Sequence, residues 1–217
     1  MMTLSNVTND PFIIELLKES DYTTEKLGIT EHGLTHAATV ADYALKICNG
    51  LGLAKKETNI ASIAAYLHDI GNLTGRQMHG QVGAAIVVPI LMRYGVEPAE
   101  LAKILSAIAN HDEEQPVITN VTTAVVIMAD KADVRRSRIR KSADVEKDIH
   151  DRVNFAVTES IVAIENRKIS LRLVLDEKIA CVADYLEIFA GRMIAMRSSA
   201  IFLGCEFELN INGSKIL

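Results

Sequence analysis

This 217-residue chain has no excess of basic residues, no long uncharged apolar run and no paired cysteine motif, and each absence weighs against a class of function. Lys and Arg number 23 against 28 Asp and Glu, a formal net charge of -5. A general binder of nucleic acid or of an anionic membrane surface needs a basic face, so any basic site here must be local. The opening residues, MMTLSNVTND, lack the basic and then apolar regions of a signal peptide. The longest uncharged apolar stretch, Val82 to Met92, is too short to span a bilayer. Cys48, Cys181 and Cys205 are odd in number and without CxxC spacing, as expected of buried free thiols in a reducing compartment. Neither GxSxG nor a P-loop occurs, so nothing points to a serine nucleophile or a phosphate-cradling glycine loop. Repeats, linkers and low-complexity segments are also missing. With these exclusions the expectation is a cytoplasmic protein without membrane or general nucleic-acid partners.

What is present is apolar periodicity. Hydrophobic residues make up 49% of the chain, enough for a substantial core. From Pro11 to about Ala132 they return every three or four positions, as in LTHAATVADYALKICNGLG and PAELAKILSAIANHD, which predicts a bundle of amphipathic helices. Gly50, Gly71 and Gly95 follow such runs as helix stops should. Pro98 opens one helix, and Pro89 lies inside another, where it predicts a kink. After His150 and Asp151 the pattern alternates instead. FAVTESIVAIE and ISLRLVLDE, separated by a polar turn at Asn166 to Lys168, predict a β-hairpin with Ile169, Leu171, Leu173 and Leu175 on one face. A long helix from about Glu177 to Leu203 and a strand CEFELNI follow. The expected fold is mainly α, with a helical domain over residues 1–150 and a small α+β module over 151–217 packed on it. The module's apolar hairpin face and long helix suggest a homodimer contact.

Histidines and aspartates sit at the ends of these predicted helices. His36 falls early in the second strong helix, His68 and Asp69 end the third, His79 begins the fourth, His111 ends the fifth, and Asp130 lies late in the sixth. Imidazole nitrogens and carboxylate oxygens without thiolate suit Fe, Mn, Co, Ni, Zn or Mg, and a bundle can converge side chains from several helices on one metal site. His32, four residues before His36, sits between Glu31 and Gly33 at a helix start and is expected to cap or support. His150 is expected at the surface, and Asp112 can orient His111 or bind water.

Three segments, HAATVA from His36, HDIG from His68 and MADK from Met128, resemble the signatures of the HD superfamily of metal-dependent phosphohydrolases. The resemblance covers about Leu27 to Ala132 and implies an HD-type helical bundle. It also implies a metal set of His36, His68, Asp69 and Asp130, with His68 and Asp69 at the catalytic centre. Some branches add histidines between the HD pair and the last aspartate, holding a second metal bridged by the aspartate of the pair. His79 in HGQVGAAI and His111 in AIANHDE resemble those additions, so one or two divalent ions are expected.

Basic residues complete the set. Arg76 lies between the HD pair and His79, while Lys131, Arg135 and Arg136 follow the last expected ligand; guanidinium forks match phosphate oxygens. The competing reading of this basic stretch is a solvated face paired with the acidic run Asp144 to Asp151. The expected function is cleavage of a phosphoester or phosphoanhydride bond, a nucleotide being the expected substrate, by metal-activated water. Two alternatives share the scaffold: a diiron oxygenase, and a nucleotide-binding sensor without catalysis. The cyclic dinucleotide phosphodiesterase branch carries Gly-Tyr-Pro where this chain has EEQPV after Asp112, which weighs against that substrate.

Overall fold

The computed structural model describes residues 2–112, 116–141, 143 and 145–217. Helices occupy the chain as far as Ala132. A short α1 (Leu4–Thr8) leads into α2 (Pro11–Lys26), where the Asp10 carboxylate accepts from the Phe12 and Ile13 amides and Pro11 takes the first turn. Then come α3 (Leu34–Gly50), α4 (Lys55–Leu67), α5 (His79–Arg93), α6 (Pro98–Asn110) and α7 (Val121–Ala132). Pro98 opens α6 and Pro89 lies within α5, as the sequence predicts. In α7 every residue from Thr122 to Ala129 is buried. A helix apolar on all sides belongs in the middle of a bundle, and α7 touches α3, α4 and α6 there.

The C-terminal part differs from expectation at its start. Residues from Ile149 to Ala156 form helix α8, capped by the Asp148 carboxylate on the His150 and Asp151 amides, and the strand begins only at Val157. Alternation could not place that start, because Val153 and Ala156 also make the buried side of a helix. Strands β1 (Val157–Glu165) and β2 (Lys168–Leu175) form the antiparallel hairpin, turning through Asn166 and Arg167 at φ 50° and 58°. Helix α9 (Val182–Phe202) starts later than Glu177. Strand β3 (Glu206–Ile211) lies parallel to β2, and β4 (Ser214–Lys215) completes a sheet of order β1-β2-β3-β4. Ile169, Leu171, Leu173 and Leu175 are buried, with Leu209 and Ile211 beside them.

One apolar core runs through both parts. Helix α9 lies against α7 and β1 against α3, and α8 crosses the expected boundary between residues 150 and 151. Polar contacts tie the same seam: the Tyr43 hydroxyl donates to Ser160 O at 2.6 Å, and Ser160 Oγ donates to Ala132 O at 2.6 Å. Tyr185 and Phe189 of α9 are among the largest fully buried side chains, and truncating such an aromatic removes about 3–5 kcal/mol. Among the described residues no helix is long and apolar enough to cross a membrane.

Candidate metal centre

The bundle brings together helix ends that are far apart in sequence. His36 lies in the first turn of α3, His68 caps the end of α4, His79 begins α5, His111 caps the end of α6, and Asp130 lies in the last turn of α7. Asp69 follows His68 into a 3-10 turn, Ile70–Thr74. Gly71 in this turn does not act as a left-handed helix stop. Its role is close approach: a Cβ there would stand 1.9 Å from His79 O and 2.5 Å from Gly83 N. Gly80 is similarly pressed against Ile108 O. Glycine at these places lets α5 close onto the turn and onto the end of α6, carrying His79 and His111 to Asp69.

Two groups of donor atoms result. In the first, His36 Nε2 and His68 Nε2 are 3.1 Å apart; Asp69 Oδ2 lies 3.3 and 3.1 Å from them, and Asp130 Oδ1 lies 3.3 and 3.5 Å from them. In the second, His79 Nε2 and His111 Nε2 are 3.0 Å apart, with Asp69 Oδ1 at 3.4 and 3.6 Å. Asp69 thus offers one oxygen to each group. Asn72 Nδ2 donates to Asp69 Oδ1 at 2.8 Å and sets the carboxylate's orientation.

The hydrogen bonds of the outer nitrogens fix which atoms carry lone pairs. His68 Nδ1 faces Ala65 O at 2.6 Å, His79 Nδ1 faces Arg76 O at 2.9 Å, and His111 Nδ1 faces Ile108 O at 2.7 Å. His36 Nδ1 faces the buried carboxylate of Asp133 at 2.7 Å. Each partner can only accept, so each Nδ1 carries the hydrogen and a neutral ring presents a bare Nε2 inward. Lone pairs facing one another at these distances repel unless a cation lies among them. Asp69 Oδ2, buried without a hydrogen-bond partner, has the same need. Metal–ligand bonds of about 2.0–2.2 Å in a tetrahedron separate ligand atoms by roughly 3.4 Å, close to the spacings here. The donor set therefore fits one or two divalent cations, and His36, His68 and Asp130, or His68, Asp69 and His111, lie close enough together to share one.

Electrostatics point the same way. Burial opposes charge on His68, but the adjacent Asp69 and then Asp130 overcome it and push the ring up to about 10. His36 is also raised, burial and Arg138 being outweighed by Asp130, Asp133 and Asp69. Asp69 and Asp130 are held well below the usual carboxylate range despite burial, chiefly by His68 and by Lys131 respectively. Without metal, protons on His36 and His68 occupy the place of a cation.

Cations line the rim. Arg76 Nη1 lies 3.5 Å from Asp69 Oδ1 and donates to His79 Nε2 at 3.3 Å, while its Nη2 pairs with Asp112. Lys131 Nζ pairs with Asp112 and with Asp130 Oδ2 at 2.9 Å. Asp112 therefore bridges two cations rather than orienting His111. Arg135 and Arg136, expected on phosphate, are engaged elsewhere. Arg135 Nε donates to Asp133 Oδ1 at 2.6 Å, and Arg136 Nε donates to Phe155 O at 2.6 Å over the Phe155 ring. Asp144, in the acidic run expected to pair with the basic stretch, lies outside the described residues, as do Glu113, Glu114 and Gln115 of EEQPV.

The sequence reading missed Asp133, which is fully buried and fastens His36. Its spacing was the available signal, since it falls three residues after Asp130, one helical turn on. His32 is not the cap of α3. Glu31 Oε1 accepts from the Gly33 and His36 amides, and the His32 ring packs 5.3 Å from that of His36. Arg192 of α9 was also missed; it shares a cavity with His32, Arg76 and His150, the last exposed as expected.

A family model described as HD domain matches residues 33–188 of this chain. An uncharacterized protein of Methanocaldococcus jannaschii is 31% identical over 136 residues, 53% of this chain and 52% of that protein, so the chain spans about half the length of this curated relative. Among solved structures, a predicted HD superfamily hydrolase from an uncultured Thermotogales bacterium aligns over 62% of this chain and 75% of that one, with 24% identity and a TM-score of 0.46.

Proposed function

This chain belongs to the HD domain family, and on that premise we propose that it is a metal-dependent phosphohydrolase cleaving a phosphoester or phosphoanhydride bond, with a nucleotide as the expected substrate. The observation that carries the reading is the bridging position of Asp69 between two pairs of facing imidazole nitrogens. His36, His68, Asp69 and Asp130 would hold one ion; His79, His111 and the other oxygen of Asp69 would hold a second. When bound, such ions supply Lewis acidity and lower the pKa of coordinated water.

The chain's own residues do the rest. Asp133 and Asn72 hold His36 and Asp69 in their ligating orientations, which keeps the centre ordered as charge shifts within it. Arg76 and Lys131 lie beside the carboxylates with their charges fixed in place, ready to offset negative charge that grows on a phosphoryl group. Burial of all four core histidines excludes bulk water and strengthens each of these interactions. The cationic rim favours an anionic substrate. An oxygenase on the same ligands is the alternative, and oxygen uptake by iron-loaded protein is the measurement that tells the two apart.

The test is a screen of chain reconstituted in turn with Mn, Fe, Co, Ni, Zn and Mg against nucleotides, dinucleoside polyphosphates and phosphomonoesters. Metal-dependent phosphate release that disappears in Asp69→Ala is expected. Absence of turnover with every metal and substrate class removes the hydrolase reading.

A further inference from the structure

Beside the metal centre lies a cavity of about 240 Å³ with two unlike walls. His32 and Arg76 join it to the centre, because His32 packs on His36 and Arg76 reaches Asp69. One wall carries Arg192 of α9, whose guanidinium lies 4.3 Å over the Phe189 ring. Arg192 makes no hydrogen bond or ion pair with any described residue, although an arginine carries five N–H donors. Burial pulls its pKa down, and the carboxylates of Asp130 and Asp112 offset only part of that effect. A half-buried guanidinium with no hydrogen-bond or ion-pair partner among the described residues gains most from an anion that presents several oxygens, which describes a phosphate.

The lining contributed by α8 and its cap holds two carboxylates against the single imidazole of His150, and so has the other sign. Asp148, Asp151 and Asn154 line it, and Asp148 is already committed to the α8 amides. Burial and Asp148 raise the pKa of Asp151, the mark of a carboxyl short of stabilising partners. Such a wall suits hydroxyl donors and repels a second phosphate, so the cavity selects by rejection as well as by attraction.

We propose that this cavity takes a singly phosphorylated small molecule, its phosphate held by Arg192 and Arg76 at the metal centre and its hydroxyl-bearing end against Asp151 and Asn154. The proposal rests on the phosphohydrolase reading and narrows it to monoesters. His32 and Arg192 both lie outside the residues 33–188 that match the HD domain model, so this wall belongs to the chain rather than to the match.

Calorimetric binding to the metal-loaded full chain tests it. The probes are the methylene-phosphonate analogue of ribose 5-phosphate, which resists hydrolysis, and its counterpart with a second phosphonate at C1. Arg192→Gln is expected to weaken the first probe by about tenfold to a hundredfold, the loss of one charged hydrogen-bonding contact, and Arg192→Lys to regain part of it. The second probe should bind wild type at least about tenfold more weakly, and Asp151→Asn should narrow that gap. Unchanged binding in a folded, fully metallated Arg192→Gln variant overturns the proposal, and so does equal affinity for the two probes. A chain that binds the first probe through Arg192 yet hydrolyses no ester keeps this inference and loses the hydrolase reading. Turnover of esters with Arg192→Gln binding intact does the reverse.

Discussion

Asp133→Asn isolates the charge that stands behind His36. Asp133 is fully buried, accepts from His36 Nδ1 at 2.7 Å and from Arg135 Nε at 2.6 Å, and has Arg138 Nε at 3.8 Å. Asparagine keeps the shape and one accepting oxygen but not the charge. A hydrogen bond to a charged group contributes about 1.5–3 kcal/mol and a neutral one about 0.5–1.5, so the exchange removes roughly 1–1.5 kcal/mol from the His36 contact. Transferred to metal affinity, that is a loss of about fivefold to tenfold in the group formed by His36, His68 and Asp130. Asp133→Ala, which removes the orienting group outright, should reach about tenfold to a hundredfold. Stability should fall as well, because Arg135 and Arg138 lose a buried counter-ion; about 3–5 kcal/mol is the upper range for such a break. The pH dependence follows from the direction of the shift. Burial opposes the Asp133 charge, but His36 and Arg138 hold its pKa below the ordinary carboxylate value of 3.8. Its contribution is therefore complete above that value and is lost as pH falls through the lower, folded one. The Tm gap between wild type and Asp133→Asn should be constant near neutrality and shrink only in strong acid. Competition with a chromophoric chelator measures affinity and calorimetry measures Tm. Wild-type metal affinity in Asp133→Asn would refute the reasoning, because His36 would then not depend on this carboxylate's charge.

Elemental analysis of metal-saturated protein should approach two ions per chain, and His111→Ala should retain about one; a wild-type value that stays at one ends the dinuclear reading. Gly71→Ala forces a Cβ into the backbone of His79 and Gly83, an overpacking of at least about 1–3 kcal/mol, and should cost the ion of the His79 and His111 group first. Retention of both ions by that variant contradicts the role given to the glycine. Thiol titration at pH 8 should find Cys181 alone reactive, since Cys48 is buried with its thiol pushed up to about 12 and Cys205 is also buried; three fast thiols in native protein would contradict the packing. Ile194, Ile201 and Phe202 of α9 are exposed, and we expect light scattering on the full chain to report a homodimer, which a strict monomer at micromolar concentration refutes.

The placing of the candidate metal ligands along the fold was legible because each stands at a helix end, and helix ends are marked by breaks in apolar period. The HD pair, His79 and His111 could be placed this way without knowing how the helices cross. Partnerships were not legible. Arg135 and Arg136 sit in a run of like charge, and composition cannot tell that one turns to Asp133 and the other to Phe155 O. Arg192 was hidden for another reason: α9 carries little amphipathic contrast, so nothing in its sequence shows which side meets the cavity. Helix α8 was lost to the strand pattern, although Asp148 ahead of Ile149 was a capping signal.

His36 meets Asp133 across 97 residues, whereas His36 and His68, and likewise His79 and His111, are each separated by 32. Closing the longer loop adds only roughly 1 kcal/mol of entropy over the shorter ones, but it carries a condition on timing. Asp133 follows α7, the rod around which α3, α4 and α6 are packed, so the contact can form only when that packing has formed. The ligands thus come together as a result of folding, unlike those of small zinc-stapled domains that collapse around their ion. A nascent chain cannot complete the contact between His36 and Asp133 until residue 133 has been synthesised. A cation entering such a finished site would be chosen by what the surroundings supply and by ligand type.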